Sequence, residues 1–256
     1  MEFKPTDVER WLEAAYVAAD GASLRQEDRR KASQIAALLG EIARAVARSG
    51  RRERFVLVDA AAGKSYVGLL AAKLVLDPSG REAEVVTLER EPARVGASRR
   101  AAERLAITTP TRCGEADVGD ASAWPDRPSL VVALHACGSA ADAVIERSIA
   151  AGAARLLLVP CCTSDAVPAV ERARAAAERL GIPLQAPVRR RFIQALVDAE
   201  RTWRLEAAGY ETEVVEFVGP TTTPHNLLWR ARRVGEPVRM AAAAGALARA
   251  RREDLD

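Results

Sequence analysis

From Phe55 onward the chain alternates short runs rich in Val and Leu with longer amphipathic stretches, and few architectures tolerate that rhythm. The runs are FVLVD (55–59), EVVTLE (84–89), LVVALH (130–135) and RLLLVP (155–160), with TTPTRC (108–113) as a weaker member. Between them the spacing predicts helices over 65–76, 92–105, 140–151 and 167–180. Apolar runs without polar alternation are strands buried on both faces, so the series predicts an α/β fold with a parallel sheet covered by helices. The rhythm breaks near the end. After a helix around 190–208 come GYETEVVEFVG (209–219) and TTTPHNLLWRARR (221–233). Two strands with a short Thr/Pro-rich connection predict an antiparallel hairpin closing the sheet edge.

Ahead of the first strand the pattern is helical. Thr6 followed by Glu9 predicts a capping box, after which Val8, Trp11, Leu12, Ala15 and Tyr16 share one face. A second helix puts Ile35, Leu38, Leu39, Ile42 and Val46 on one side, and Gly50 with the charged RRER ends it. Residues 1–50 are therefore expected to form a helical addition to a domain over 51–235, with 236–256 as an Ala/Arg-rich helix or frayed end. The chain is 49% hydrophobic, yet 53 residues are Ala and only 4% are aromatic, so the core has to be Val, Leu and Ile packed on Ala-lined helix faces.

Composition also removes whole classes. No apolar run reaches the roughly 18–20 residues of a membrane span, and MEFKPTDVER lacks a signal peptide's apolar region. Four Cys, two of them adjacent, do not make a disulfide scaffold. The expectation is a cytoplasmic, reduced protein with no membrane partner. Charge is balanced, 38 basic against 35 acidic residues for a net +3, which permits an anionic partner without demanding one.

Ligands of open α/β sheets bind beyond the carboxyl ends of the strands, and the unusual residues of this chain cluster there. The first strand ends in Asp59-Ala-Ala-Ala-Gly63-Lys-Ser65 and the second in Glu89. The fourth ends in His135-Ala-Cys137-Gly138, the fifth in Pro160-Cys161-Cys162, and the hairpin loop carries Thr223-Pro224-His225-Asn226. Small residues after a strand let backbone approach a ligand, and the next helix presents free N–H groups. An acid ending the second strand suits two ribose hydroxyls. Asp117, after the third strand, suits an adenine amine or a helix cap.

This set resembles the class I S-adenosylmethionine-dependent methyltransferases. Within them it is similar to a bacterial methyltransferase-domain family with a D-x-x-x-G-K-S-Y-like first loop, H-A-C after strand four, P-C-C after strand five and T-P-x-N in the final hairpin. Here these read DAAAGKSY (59–66), LHACG (134–138), VPCC (159–162) and TPHN (223–226). KASQIAALLGEI (31–42) and FIQALVDAERTWRLEAAGY (192–210) also resemble that family, so the likeness spans roughly residues 30–233. It implies a Rossmann-like seven-stranded sheet, mostly parallel with a C-terminal antiparallel hairpin, and methyl transfer from S-adenosylmethionine. Carried over residue by residue, it implies the cofactor on Asp59, Ala61, Gly63 and Ser65, its ribose on Glu89 and Asp117 near its adenine. The usual loop has Gly where this chain has Ala61 and Ser65, and Ala gives up close approach and freedom at positive φ.

The resemblance places the acceptor over His135, Cys161, Cys162 and His225, with His135 as base or substrate hydrogen-bonding group. An N/D-P-P-Y-like motif of amino-group methyltransferases is absent after strand four. RNA is one expected acceptor. Arg99 with Arg100, Arg189 to Arg191, and Arg230 with Arg232 and Arg233 form either a phosphate-contacting surface or a solvated mixed-charge face. Other readings of the same rim stay open. Cys137, Cys161, Cys162, His135 and His225 suffice for a zinc site, a stabilised thiolate suits a nucleophile, and buried cysteines also pack as small hydrophobes. Cys113 reads as structural. A nicotinamide-dependent oxidoreductase would use the same loop and ribose acid, but the loop fits its G-x-G-x-x-G fingerprint less well, and a non-catalytic or metal-stabilised binding module on the same fold is the other alternative.

Overall fold

The computed structural model describes residues 2–17, 24, 26–50, 53–160, 163–219 and 226–251. Two helices precede the sheet: α1 (Pro5–Leu12), which continues as a π-helical turn at Glu13–Val17, and α2 (Gln26–Arg48). The alternating part follows as β1 (Phe55–Ala60), α3 (Tyr66–Ala71), α4 (Asp77–Ser79), β2 (Ala83–Glu89), α5 (Pro92–Arg104) and β3 (Thr111–Glu115). It continues with β4 (Leu130–Ala136), α6 (Ser139–Ala150), β5 (Arg155–Pro160), α7 (Pro168–Arg179) and α8 (Pro187–Ala207). The chain closes with β6 (Tyr210–Glu216), β7 (Leu227–Arg233) and α9 (Pro237–Arg251).

The strands form one seven-stranded sheet in the order β3-β2-β1-β4-β5-β7-β6. Pairs from β3 to β5 are parallel, and β7 runs antiparallel to both β5 and β6. This is the expected mostly parallel sheet with a terminal hairpin. Successive residues of one strand serve opposite layers. Leu57 packs with α2 and α3 on one side, and Val58 packs with α6 on the other. Both faces are therefore buried, which explains why these strands carry no polar alternation. Strand order reverses between β1 and β4, so a crevice opens at their carboxyl ends.

Two local expectations are corrected, and a third is decided between its alternatives. The Thr6–Glu9 capping box is absent: α1 begins at Pro5 after Lys4, with no side-chain cap, because proline in the first turn already has helical φ and lacks an N–H to cap. The weak third strand lies later than TTPTRC, at Thr111–Glu115, where pairing with β2 runs from Val85↔Thr111 to Glu89↔Glu115. The tail from Pro237 to Arg251 is helix, held to α8 by Arg251 bonding Glu200 at 2.9 Å. Most of the Thr/Pro-rich hairpin connection lies outside the described residues, and its last member, Asn226, donates to Val218 O at 3.0 Å.

Candidate active site

The β1 carboxyl end is built around two acids. Asp59 is buried on β1, and its Oδ2 accepts the Gly68 N–H at 2.8 Å. That contact needs glycine, since a Cβ on residue 68 would lie 2.9 Å from the same oxygen. Burial raises the Asp59 pKa to about 7, against the Gly68 hydrogen bond that lowers it and with the Glu89 charge adding to the rise. Glu89 ends β2 and clasps the loop: Oε2 accepts Gly63 N–H at 2.8 Å and Oε1 accepts Glu91 N–H at 2.9 Å. Ala62 N–H donates to Leu88 O at 2.9 Å, so the loop lies across the β2 end.

The loop's path is left-handed at three places. Ala61, Gly63 and Ser65 have φ of 53°, 59° and 56°. The chain thus adopts at Ala61 and Ser65 the backbone that glycine would take without strain. Ser65 is fully buried and accepts a hydrogen bond from Ser98 Oγ at 3.0 Å. It shapes the loop from behind.

His135 faces the loop across the crevice. The β4–β5 register shifts between Leu134 and Ala136, and His135 itself has φ 63°. A bulge of this kind re-aims one side chain out of the strand's alternation. The imidazole Nε2 donates to Gln34 Oε1 at 2.7 Å, and Gln34 is buried on α2. Together Asp59, the loop from Ala61 to Lys64, and His135 line a cavity of about 510 Å³, within the range of small-ligand pockets. The N-terminal helices form its other wall: Tyr16 donates to Lys64 O and stacks edge-on against Tyr66 at 4.7 Å, while Lys31 lines the cavity from α2. Burial keeps Tyr16 protonated, raising its pKa well above the ordinary value.

The structure therefore brings Asp59, Ala61, Gly63, Glu89 and His135 to one crevice. Asp117 stands apart from the cavity wall. Its side chain is mostly exposed, its Oδ1 accepts Gly119 N–H at 2.8 Å, and Arg90 lies 4.0 Å from its other oxygen. Cys161, Cys162 and His225 lie outside the described residues. Cys137 is disulfide-bonded, which corrects the reduced state expected for it and removes it as a thiolate ligand or nucleophile. It follows Ala136, whose Cα pairs with Pro160, so it sits where two neighbouring strand ends meet. Cys113 is a free, buried thiol, as a structural role requires. Among the described residues no three His, Cys, Asp or Glu are grouped to hold a metal.

Sequence reasoning missed Gln34, Tyr16, Tyr66 and Lys31 as wall residues. Gln34 carried a legible signal: it is a polar side chain one turn before Leu38, on the stripe that α2 buries. It also missed Arg201, buried on α8, which bonds Asp142 at 2.8 Å and Gly138 O at 3.5 Å and so fixes the turn after β4. Arg189, expected on a phosphate-contacting surface, is buried and donates to Ile182 O at 2.7 Å.

Residues 30–167, more than half of the chain, match a family model described as a methyltransferase domain. The chain belongs to the methyltransferase-domain family. Its sheet is the class I methyltransferase fold. Among solved structures, an S-adenosylhomocysteine-bound methyltransferase from Podospora anserina is 15% identical, with a TM-score of 0.50 over 90% of this chain and 87% of that one. The magnesium protoporphyrin IX methyltransferase of Synechocystis with bound S-adenosylhomocysteine is 13% identical, at TM-score 0.49 over 90% and 95% of the two chains. An rRNA methylase from Streptococcus thermophilus is 10% identical, at TM-score 0.47 over 78% and 96%. No curated protein matches the chain significantly. Among the described residues no helix is long and apolar enough to cross a membrane.

Proposed function

We propose that this methyltransferase-domain protein is an enzyme that binds S-adenosylmethionine in the crevice between β1 and β4 and transfers its methyl group to an acceptor entering over His135. The carrying observation is the clasp of Glu89 on the Gly63 N–H, which aims the loop into a cavity whose far wall bears His135. S-adenosylmethionine, when bound, supplies a methyl group on a sulfonium centre, for which proximity and alignment account for most of the catalysis.

The chain's own groups suit that ligand. A carboxylate offers about four acceptor positions, and Glu89 has two of them occupied by N–H groups, leaving room for ribose hydroxyls. Asp59, desolvated and lining the cavity, gains most from a cationic partner such as an amino group. Ala61 and Gly63 contribute backbone at close approach, and Ser65 holds the turn from beneath. Asp117 reaches a base only by leaving its Gly119 turn. His135, held by Gln34, accepts a proton from the acceptor or fixes its position. Cys161, Cys162 and His225 complete the acceptor side of this reading, and RNA is one acceptor class compatible with it.

Calorimetric titration with S-adenosylhomocysteine tests the reading: micromolar binding supports it, and no binding by well-folded protein overturns it. His135→Ala is expected to abolish turnover with cofactor affinity nearly unchanged. The acceptor is sought by adding enzyme and radiolabelled cofactor to lysate from cells lacking the protein, then asking whether RNA, protein or small molecules take up label.

A further inference from the structure

A second cavity, of about 500 Å³, opens at the other end of the sheet against α2 and the β5-β7-β6 edge. It lies at the amino ends of β4 and β5, about 20 Å from the rim by strand length, so it is not part of the crevice described above. Six arginines line it and three glutamates share it. Each glutamate already has partners: Glu41 pairs with Arg44 and Arg230, Glu211 with Arg232 and Arg239, and Glu213 with Arg230. The surplus of three positive charges equals the formal net charge of the whole chain, +3. The remaining residues of the chain therefore sum to zero formal charge.

Two of the arginines have no acid among the described residues. Arg48, in the last turn of α2, and Arg155, which opens β5 in register with Arg232, form no ion pair among the described residues. The Arg155 guanidinium instead donates to Ser49 Oγ at 3.2 Å. Partial burial, followed by the adjoining Arg232 and Arg48 cations, lowers its pKa. A half-buried guanidinium among like charges is unfavourable until an anion arrives, and a bidentate oxyanion relieves both terms at once. A purely solvated surface would keep the Arg155 guanidinium in water, as it keeps the exposed Arg48 side chain.

We infer that this groove binds a phosphate group, with Arg48 and Arg155 as its principal contacts and Arg232 beside them. A free phosphate ester fits the cavity, and the backbone of an RNA strand presents the same chemistry. Only the polymer, held here, also reaches the rim. The inference stands on the groove alone and does not depend on methyl transfer.

The test compares wild type with Arg48→Gln/Arg155→Gln, using inorganic phosphate and ATP by calorimetry and a short fluorescein-labelled single-stranded RNA by polarisation. The double variant is expected to lose at least tenfold in affinity for whichever probe binds. For RNA the slope of log affinity against log salt should fall by about 0.7 per phosphate contact removed. RNA binding that ATP cannot compete identifies the polymer, and ATP binding with weak RNA binding identifies the free ester. Affinity for S-adenosylhomocysteine, read at the far end of the sheet, should stay within twofold. If the double variant fails to fold, Arg48→Gln alone carries the test, since Arg48 is exposed and its loss should still weaken binding about threefold or more. Equal affinity of wild type and variant, or no binding of any probe by wild type, overturns the inference.

Discussion

Asp59→Asn separates the stability of the β1 end from its use. Asp59 titrates near 7 in the folded chain against a usual 3.8, because burial disfavours its charge. Three pKa units at about 1.4 kcal/mol each make ionised Asp59 a penalty of up to about 4 kcal/mol. The sign follows from the direction of the shift. The raised pKa contributes stability that is fully present below about pH 4 and is lost as pH rises through about 7. Between pH 5 and pH 8 the protein without ligand should lose about 2–3 kcal/mol. Asparagine retains an oxygen for the Gly68 N–H, now 2.8 Å from Oδ2, and carries no charge. At pH 8 the variant should therefore melt higher than wild type, by roughly 10 °C at about 2–4 °C per kcal/mol, with the gap narrowing toward pH 5. Differential scanning calorimetry at a series of pH values reads both effects. Affinity for S-adenosylmethionine should behave oppositely, rising through pH 7 in wild type and lying low and flat in the variant. Parallel stability profiles for the two proteins, or a variant less stable at pH 8, would refute burial as the cause.

Other expectations follow from contacts already described. Gly68→Ala would set a Cβ 3.0 Å from Asp59 Cβ and 3.1 Å from Thr87 Cγ2, atoms on paired strands that cannot recede, so urea unfolding should show a loss of about 1–3 kcal/mol. Ala61→Gly releases a left-handed alanine at φ 53°, a strain of about 1–2 kcal/mol, against about 0.5–1 kcal/mol of added chain entropy in the unfolded state. Its melting temperature should rise by a few degrees with S-adenosylhomocysteine affinity retained, and a fall would show that the alanine methyl packs usefully. Arg201→Met leaves its own buried site without a cation, removes one partner of Asp198, which keeps Gln194 at 2.9 Å, and weakens the hold on Asp142, which keeps Arg204 at 2.6 Å. About 3 kcal/mol should be lost on thermal unfolding, the low end for breaking a buried pair.

How far the sequence could be read depended on the kind of interaction. Strands β1, β2, β4 and β5 were legible within a residue or so because a strand covered on both faces must be a short, mostly apolar run without polar alternation. β3 was faint for the converse reason. It is an edge strand, with only Cys113 buried, so Thr, Arg and Glu are tolerated and the periodic signal fades. The acids Asp59 and Glu89 were legible from their places at strand ends. That Glu89 would clasp Gly63, and that Asp59 would be held near neutrality, depends on distances across the sheet which no local pattern encodes.

His135 shows why the site needed three dimensions. On strict alternation along β4 its side chain belongs to the same layer as Ala133 and Val131, which pack toward α6. The bulge between Leu134 and Ala136 breaks that parity, and positive φ turns the imidazole toward Gln34 and the cavity on the α2 side. A positive φ at a non-glycine residue is unfavourable by about 1–3 kcal/mol, and of the five such residues among the described ones three, Ala61, Ser65 and His135, lie on this rim, while Ala106 and Arg127 lie elsewhere, between elements. Strain at three residues around one crevice fits a backbone set for a ligand. It also explains the role of the N-terminal helices. Gln34 and Tyr16 reach across from them to His135 and to the Lys64 carbonyl, so the strained loop and the strained histidine are each held by a residue outside the alternating sheet.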